Sequence, residues 1–285
     1  VGDSKHPLYY LVISSLINIV LDIVFITVFH MGVGSAALAT AISQFVSAGL
    51  CLIQLLRTKD EYRIVLRKVR FDTEMLGQII KVGLPSGVQN SIIAIANVVV
   101  QSSINSFGEM AMAGCGAYSK IEGFAFLPIT SFTMALTTFV GQNLGAKEYD
   151  RVKKGAKFGI LSSVILAEAI GVVIFLFAPT LTAAFDRTPE VIMYGTDRAR
   201  VEAFFFCLLA YSHAVSAVLR GAGKSMVPMF VMLAFWCIVR VSIITIVGKL
   251  IPGIWIVYWV YPITWGLSSI AFFIYYKKVN WMRGF

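Results

Sequence analysis

Asn18 and Asp22 stand one helical turn apart inside an apolar run that extends from Pro7 to Phe29. A carboxylate so far from either end of a membrane-length segment is disfavoured by ~2.5 to 3.5 kcal/mol on the insertion scale, which marks Asp22 as a functional candidate. The chemistry open to it is cation handling. It can take up and release a proton, or join oxygens of Asn18 and Thr40 around a sodium ion, a hard cation suited to oxygen donors. Thr40 enters the set through geometry: Asp22 lies nine residues before Met31, the centre of the following turn, and Thr40 nine residues after it. At 1.5 Å per residue both sit ~13 Å deep, near mid-membrane. Ser15, Asn18 and Asp22 follow i, i+3, i+7 spacing, and Thr40, Ser43, Gln44 and Ser47 follow i, i+3, i+4, i+7, so two antiparallel helices would present facing polar stripes. For the serines, plain interhelical hydrogen bonding is the simpler reading.

A second group of polar side chains lies further along. Ser86, Asn90, Asn97 and Gln101 recur near heptad spacing, a face that either lines a cavity or binds neighbouring helices. Lys120 and Glu122 follow on the next span, two residues apart and so on different faces. Both are candidates for the substrate cavity; for Glu122 the alternatives are attraction of cationic substrates and a structural pair with a basic group elsewhere. Glu168 and Arg240 are equally unusual at depth, and an interhelical pair would accommodate both. Glu202 falls near the outer end of its span. His213 has no acidic residue at i±3 or i±4, which favours a hydrogen-bonded helix residue over a proton relay. Met112, Met134, Phe124, Phe126 and Phe132 suit the adaptable wall of a broad-specificity cavity, although packing and lipid contact are the simpler reading.

The elements that position these residues must be membrane helices. With 58% hydrophobic and 14% charged residues and a mean hydropathy of +0.80, the chain carries more apolar surface than a soluble domain of 285 residues can bury. Segments of ~20 apolar residues cross the hydrocarbon layer, and they predict eight spans at roughly 7–29, 34–56, 83–105, 111–139, 157–178, 199–219, 227–249 and 253–276. Open sheet edges cannot face lipid, so the class is all-α and polytopic. An N-terminus in the cytoplasm places 18 of the 24 basic residues on that side; Arg187, Arg198, Arg200 and Lys249 fall outside, and Lys120 and Arg240 within spans. Both ends of the chain are therefore expected to be cytoplasmic. The +9 charge accordingly reports topology rather than nucleic-acid binding, for no basic face is interleaved with aromatics. Residues 57–82 read as a cytoplasmic linker carrying a lateral amphipathic helix. Thr188-Pro189-Glu190 reads as the start of a short helix that runs into the sixth span. The four cysteines lie in apolar runs without CxxC spacing, against a disulfide framework or zinc site.

The chain also repeats itself. Gly2-Asp3-Ser4-Lys5-His6-Pro7 aligns with Gly223-Lys224-Ser225-Met226-Val227-Pro228, and the same offset places Gly32 on Gly253 between the two following spans. The first two spans then correspond to the last two, and about four spans are expected upstream of residue 1, making the chain a fragment that starts within a loop.

The Arg220-Gly221-Ala222-Gly223-Lys224-Ser225 loop before Pro228, Gly83-Leu84-Pro85-Ser86-Gly87 and Gly141-Gln142-Asn143-Leu144-Gly145-Ala146-Lys147, set on this repeat, resemble the multidrug and toxic compound extrusion (MATE) family. The resemblance implies the fifth to twelfth helices of a two-lobe (6+6) pseudo-symmetric transporter. Residues 1–56 would be the last two helices of the N-terminal lobe and 83–285 the C-terminal lobe. It implies an antiporter in the cytoplasmic (inner) membrane that exports drugs and other amphiphilic or cationic small molecules against inward H+ or Na+, monomeric when complete and without a resident cofactor. Asn18, Asp22 and Thr40 match a cation site known in one branch; that branch's further aspartate would precede residue 1. The relative that flips lipid-linked saccharides is the nearest alternative, expected to show more basic cavity residues than Lys120 and Arg240. A non-functional truncation is another. An enzyme is not indicated: Gly223-Lys224-Ser225 lacks the earlier glycine of a phosphate-binding loop, since Val218 stands there, and neither His-Glu-x-x-His nor Gly-x-Ser-x-Gly occurs. The basic stretch from Gly145 to Lys157 reads as a topology-setting loop able to touch anionic lipid heads.

Overall fold

The computed structural model describes residues 5–32, 34–60, 62–251 and 253–282. Gly2, Asp3 and Ser4 of the repeat and Arg283 of the basic set lie outside the described residues. The chain divides into two compact units, Val1–Asp72 and Thr73–Phe285. Among the described residues every long element is helical, and seven helices are long and apolar enough to cross a membrane, or eight if one bent pair counts as a span.

The first unit is a hairpin of α1 (Lys5–Thr27) and α2 (Gly34–Arg57). The turn between them closes with Met31 N–H donating to Phe25 O at 2.9 Å, and His30 takes a positive φ of 49°. Beyond α2 the chain folds back on the helix end, where carbonyls lack intrahelical partners: Ile64 N–H donates to Leu55 O at 3.0 Å and Arg63 Nε to Leu56 O at 3.1 Å.

The second unit holds α3 (Thr73–Asn105), α4 (Glu109–Gly145), α5 (Tyr149–Ala183), α6 (Pro189–Ala203), α7 (Phe206–Gly221), α8 (Met226–Leu250) and α9 (Trp255–Lys278). The lateral helix expected within 57–82 is not a separate element. Met75, Leu76, Ile79 and Ile80 carry the helical apolar period straight into the span, so one helix runs from Thr73 through Pro85. Pro85 has no N–H to give the carbonyl of Lys81 four residues back, and Ser225 Oγ donates to that carbonyl instead, at 3.3 Å.

The sixth span is broken, with α6 and α7 meeting at 55°. The break frees N–H groups at the start of α7, and Glu168 of α5 accepts from Cys207 N–H at 2.9 Å. Glu168 and Arg240 therefore do not pair, contrary to the interhelical pair considered from sequence: the carboxylate serves a helix end, and Arg240 is bound elsewhere. Helix α6 lies so close to α4 that a Cβ on Gly114 would stand 2.6 Å from Val191 O, and one on Gly195 2.9 Å from Gly114 O. Small residues at this crossing draw the two helices together. Two π-helical stretches in α8, Leu233–Val239 and Ile243–Val247, flank Arg240. Ser212, Ser268 and Ser269 form a hydroxyl cluster between α7 and α9, with Ser212 Oγ 2.9 Å from each partner and Trp236 Nε1 donating to Ser268 at 3.0 Å.

Candidate functional site

Each unit holds one group of candidates. In the hairpin, Asn18 Nδ2 donates to Thr40 Oγ1 at 3.4 Å, and Thr40 Oγ1 donates to Ala36 O at 2.8 Å. Asp22 lies one turn along α1 from Asn18, half-buried, and its Oδ1 is enclosed with no hydrogen bond reaching it. The structure thus brings Asn18 and Thr40 together and leaves the carboxylate beside them unsatisfied. A proton or a hard cation would meet that need. Among the described residues no three His, Cys, Asp or Glu side chains cluster, so a cation at Asp22 would draw on neutral oxygens. Ser43 is buried and donates to Thr40 O at 2.9 Å, a helix-bound role, whereas Ser15 and Gln44 are exposed.

In the second unit a cavity of about 480 Å³ opens between α3, α4, α6, α7, α8 and α9. Asn90, Asn97 and Gln101 line it from α3, Ser119 and Glu122 from α4, and Arg198, His213 and Arg240 from the other side. Four of these were legible as cavity candidates: Asn90, Asn97, Gln101 and Glu122. Lys120 was another, but it is exposed and does not line the cavity, because its position on α4 turns it to a different face from Glu122. Of the five Met and Phe candidates Phe126 alone lines the cavity, whereas Met112, Met134 and Phe124 are exposed on the outer surface.

Sequence reasoning misplaced Arg198 and found no partner for Glu202. Arg198, counted with the outer loops, is 3% exposed and Glu202 is fully buried, because the helix carrying both begins at Pro189 and enters the bundle before it breaks. Arg198 Nε donates to Glu202 Oε1 at 2.7 Å. Its guanidinium also sits between the rings of Tyr118 and Tyr261, 5.1 Å from each centroid. The other face of the arrangement is Arg240, 4.4 Å from the Tyr261 ring and 5.2 Å from that of Trp236, with Nη2 donating to Thr264 Oγ1 at 2.9 Å and Nη1 to Asn97 Oδ1 at 3.4 Å. Tyr261 is therefore shared by two guanidiniums, planar cations that stack well on aromatic faces. The signal for the pair was present as Arg198 and Glu202 at i, i+4 on one helix.

Some polar atoms here keep unused capacity. Glu202 Oε2, Tyr118 Oη, Arg240 Nε and His213 Nε2 are enclosed without hydrogen bonds. The His213 ring stands edge-on to Phe126 and Trp236, at 5.0 and 5.3 Å between centroids, so its surroundings are aromatic rather than the hydrogen-bonded setting expected. Glu122 faces the cavity with no ion pair to it among the described residues. The arrangement can hold an amphiphile of drug size: aromatic walls for its body, and groups of both signs for its polar end.

Fold and cavity together define a multi-pass helical membrane protein with a polar chamber at a broken span, the class to which membrane transporters belong. The MatE family model matches residues 85–246. This covers more than half of the chain, and the chain belongs to that family. It is 26% identical over 290 residues to a probable multidrug resistance protein of Bacillus subtilis, YoeA, covering 98% of this chain and 62% of that protein. A second Bacillus subtilis protein of the same description, YpnP, is 27% identical over 285 residues, again with 62% of its length matched. Among solved structures, a MOP superfamily transporter from Pyrococcus furiosus superposes with a TM-score of 0.91 at 24% identity, over 100% of this chain and 64% of that one. The chain thus spans a little under two thirds of the relatives it matches, whose names are those of transporters and resistance proteins rather than enzymes.

Proposed function

We propose that the chain is the larger part of an exporter of small amphiphilic molecules, organic cations among them, driven by inward flow of H+ or Na+. The observation that carries this reading is the cavity of about 480 Å³ inside a membrane bundle, walled by Phe126, Trp236, Tyr261 and Trp265 and edged by ionisable groups. Aromatic walls accept varied apolar bodies, and Glu122, which no ion pair occupies among the described residues, offers a carboxylate to a cationic centre. The relatives named for multidrug resistance support export as the direction of transport.

Coupling is assigned to Asp22, with Asn18 and Thr40 as neutral oxygen donors. Occupation of its enclosed oxygen by a proton or Na+ would change what α1 and α2 present to each other, and each charge carried inward gains ~2.3 kcal/mol per 100 mV. In this reading the hairpin belongs to an N-terminal lobe and the second unit forms the C-terminal lobe. The whole protein is then a monomer of the cytoplasmic (inner) membrane, with the ends of this chain on the basic, cytoplasmic side. The test is ethidium or norfloxacin efflux by the complete protein in vesicles, under a proton gradient alone and a sodium gradient alone. One gradient should drive efflux, and failure under both overturns the reading. Asp22→Asn should abolish coupled efflux; full transport by this variant removes Asp22 from the mechanism.

A second reading has one observation in its favour: the two cations on the cavity wall, Arg198 and Arg240, are both guanidiniums, whose planar fork suits phosphate oxygens. A flippase of lipid-linked saccharides would use such cations for its anionic group. Glu202 neutralises Arg198, which favours the exporter. Movement of a fluorescent polyprenyl-pyrophosphate analogue without ethidium efflux would reverse that preference.

A further inference from the structure

A different cleft lies on the outer surface of the second unit, between α5, α7 and α9, with a volume of about 460 Å³ and no residue in common with the central cavity. Its two ends differ in chemistry. Lys153 and Lys157, one turn apart on α5, and Lys277 in the last turn of α9 are gathered at one end, all three exposed. Among the described residues no acidic side chain lines the cleft; Asp150, earlier on α5, faces a separate one with Arg151 and Lys154. From Lys157 the cleft follows α5 past Ile160 and Leu161 to Val164, ~10 Å of apolar wall at 1.5 Å per residue, with Phe273 opposite.

Helix α5 has 35 residues, ~52 Å at the standard rise, against a hydrocarbon layer of ~30 Å, and its apolar run begins only after Lys157, so the excess length at its charged start matches headgroup height. Lys277 Nζ rests 5.8 Å from the Phe273 ring centroid, which holds the ammonium at the mouth. Tyr211 and Tyr276 add two half-buried hydroxyls to the walls, and the Tyr276 ring is fixed by stacking on Trp281 at 5.3 Å and 22°. A cationic mouth, tyrosine hydroxyls in the walls and an apolar shaft match the phosphate, ester and acyl chemistry of a phospholipid.

We propose that this cleft is a binding site for one anionic phospholipid, with its phosphate at the three lysines and one acyl chain along the α5 wall. The site is independent of the transport reading, since none of its residues lines the central cavity.

Native mass spectrometry of the detergent-purified complete protein, mixed with equal amounts of phosphatidylglycerol and phosphatidylcholine, tests this directly. One phosphatidylglycerol should be retained in preference. Each lysine replaced by glutamine should weaken it roughly fivefold, and the triple variant K153Q/K157Q/K277Q about a hundredfold. Val164→Trp, which fills the shaft without altering charge, should also lower retention, with folding checked by the melting curve in phosphatidylcholine. Glutamines at Lys59, Arg67 and Lys68 in the connector should change nothing. Equal retention of the two lipids, wild-type behaviour of the triple variant, or full competition by free glycerol phosphate at the lipid's concentration would each overturn the proposal.

Discussion

The hairpin and the cavity each hold acidic groups at membrane depth, but they treat them differently. Around Glu202 the structure supplies Arg198 at 2.7 Å, with the rings of Tyr118 and Tyr261 over that guanidinium and Arg240 beyond. Around Asp22 it supplies Asn18 and Thr40, which bond to each other, and leaves Oδ1 bare. Burial of a charge is tolerated when a partner and hydrogen bonds offset its desolvation, and removal of one partner then costs more than the pair contributes. The lesson is that a charge held by its neighbours maintains structure, whereas a charge left unsatisfied is available to a ligand or proton. The comparison is open to direct attack through stability measurements.

The largest effect should come from the cavity pair. Arg198→Ala leaves Glu202 as an uncompensated buried carboxylate and is expected to destabilise the protein by ~3 to 5 kcal/mol in denaturant unfolding. The double variant Arg198→Met, Glu202→Leu should recover most of that loss, because no charge is then stranded. A double variant as unstable as the single would mean that packing, not charge compensation, is what Arg198 supplies. Next in size is Glu168→Ala, which leaves Cys207 N–H without its acceptor at the break and should cost ~1 to 3 kcal/mol. Glu168→Gln keeps an acceptor oxygen and should lose much less.

Much of this layout could be read from the chain, and the failures have identifiable physical causes. Apolar run lengths suffice to find the spans because lipid forces each one to satisfy its own backbone, and Thr188-Pro189 marks the start of α6. Equal distance from the turn at Met31 paired Thr40 with Asp22, whereas the side chain that bonds Thr40 is Asn18, one turn further along α1. Arg198 could not be placed, because hydropathy treats a half-span rich in charge as loop; its mean hydropathy hides a helix whose charges face each other and aromatic rings. Glu168 was misassigned for a related reason: its partner is a backbone N–H exposed by the α6–α7 break, and nothing in residue type announces a broken helix there. Lys120 does not line this cavity because two residues of helix turn it to a different face from Glu122.

A smaller effect is expected at the junction of α3 and α8. Ser225→Ala removes the hydroxyl that satisfies the Lys81 carbonyl beside Pro85 and should cost about 1 kcal/mol. Pro85→Ala restores an N–H four residues after that carbonyl, so the serine substitution should cost almost nothing in the Pro85→Ala background. Equal costs in both backgrounds would show that the two groups are not coupled.

The smallest change in stability, and the sharpest contrast with Glu202, is predicted for Asp22→Asn. No hydrogen bond reaches the enclosed Oδ1 and no ion pair involves the carboxylate among the described residues, so the near-isosteric amide should shift unfolding by less than about 0.5 kcal/mol. The Asn18–Thr40 bond does not depend on the carboxylate and should persist. Loss of coupled efflux with unchanged stability would place Asp22 among the groups held ready for a cation. A loss of stability comparable to that of Arg198→Ala would instead mean that Asp22 has a structural partner, and the distinction between the two regions would collapse.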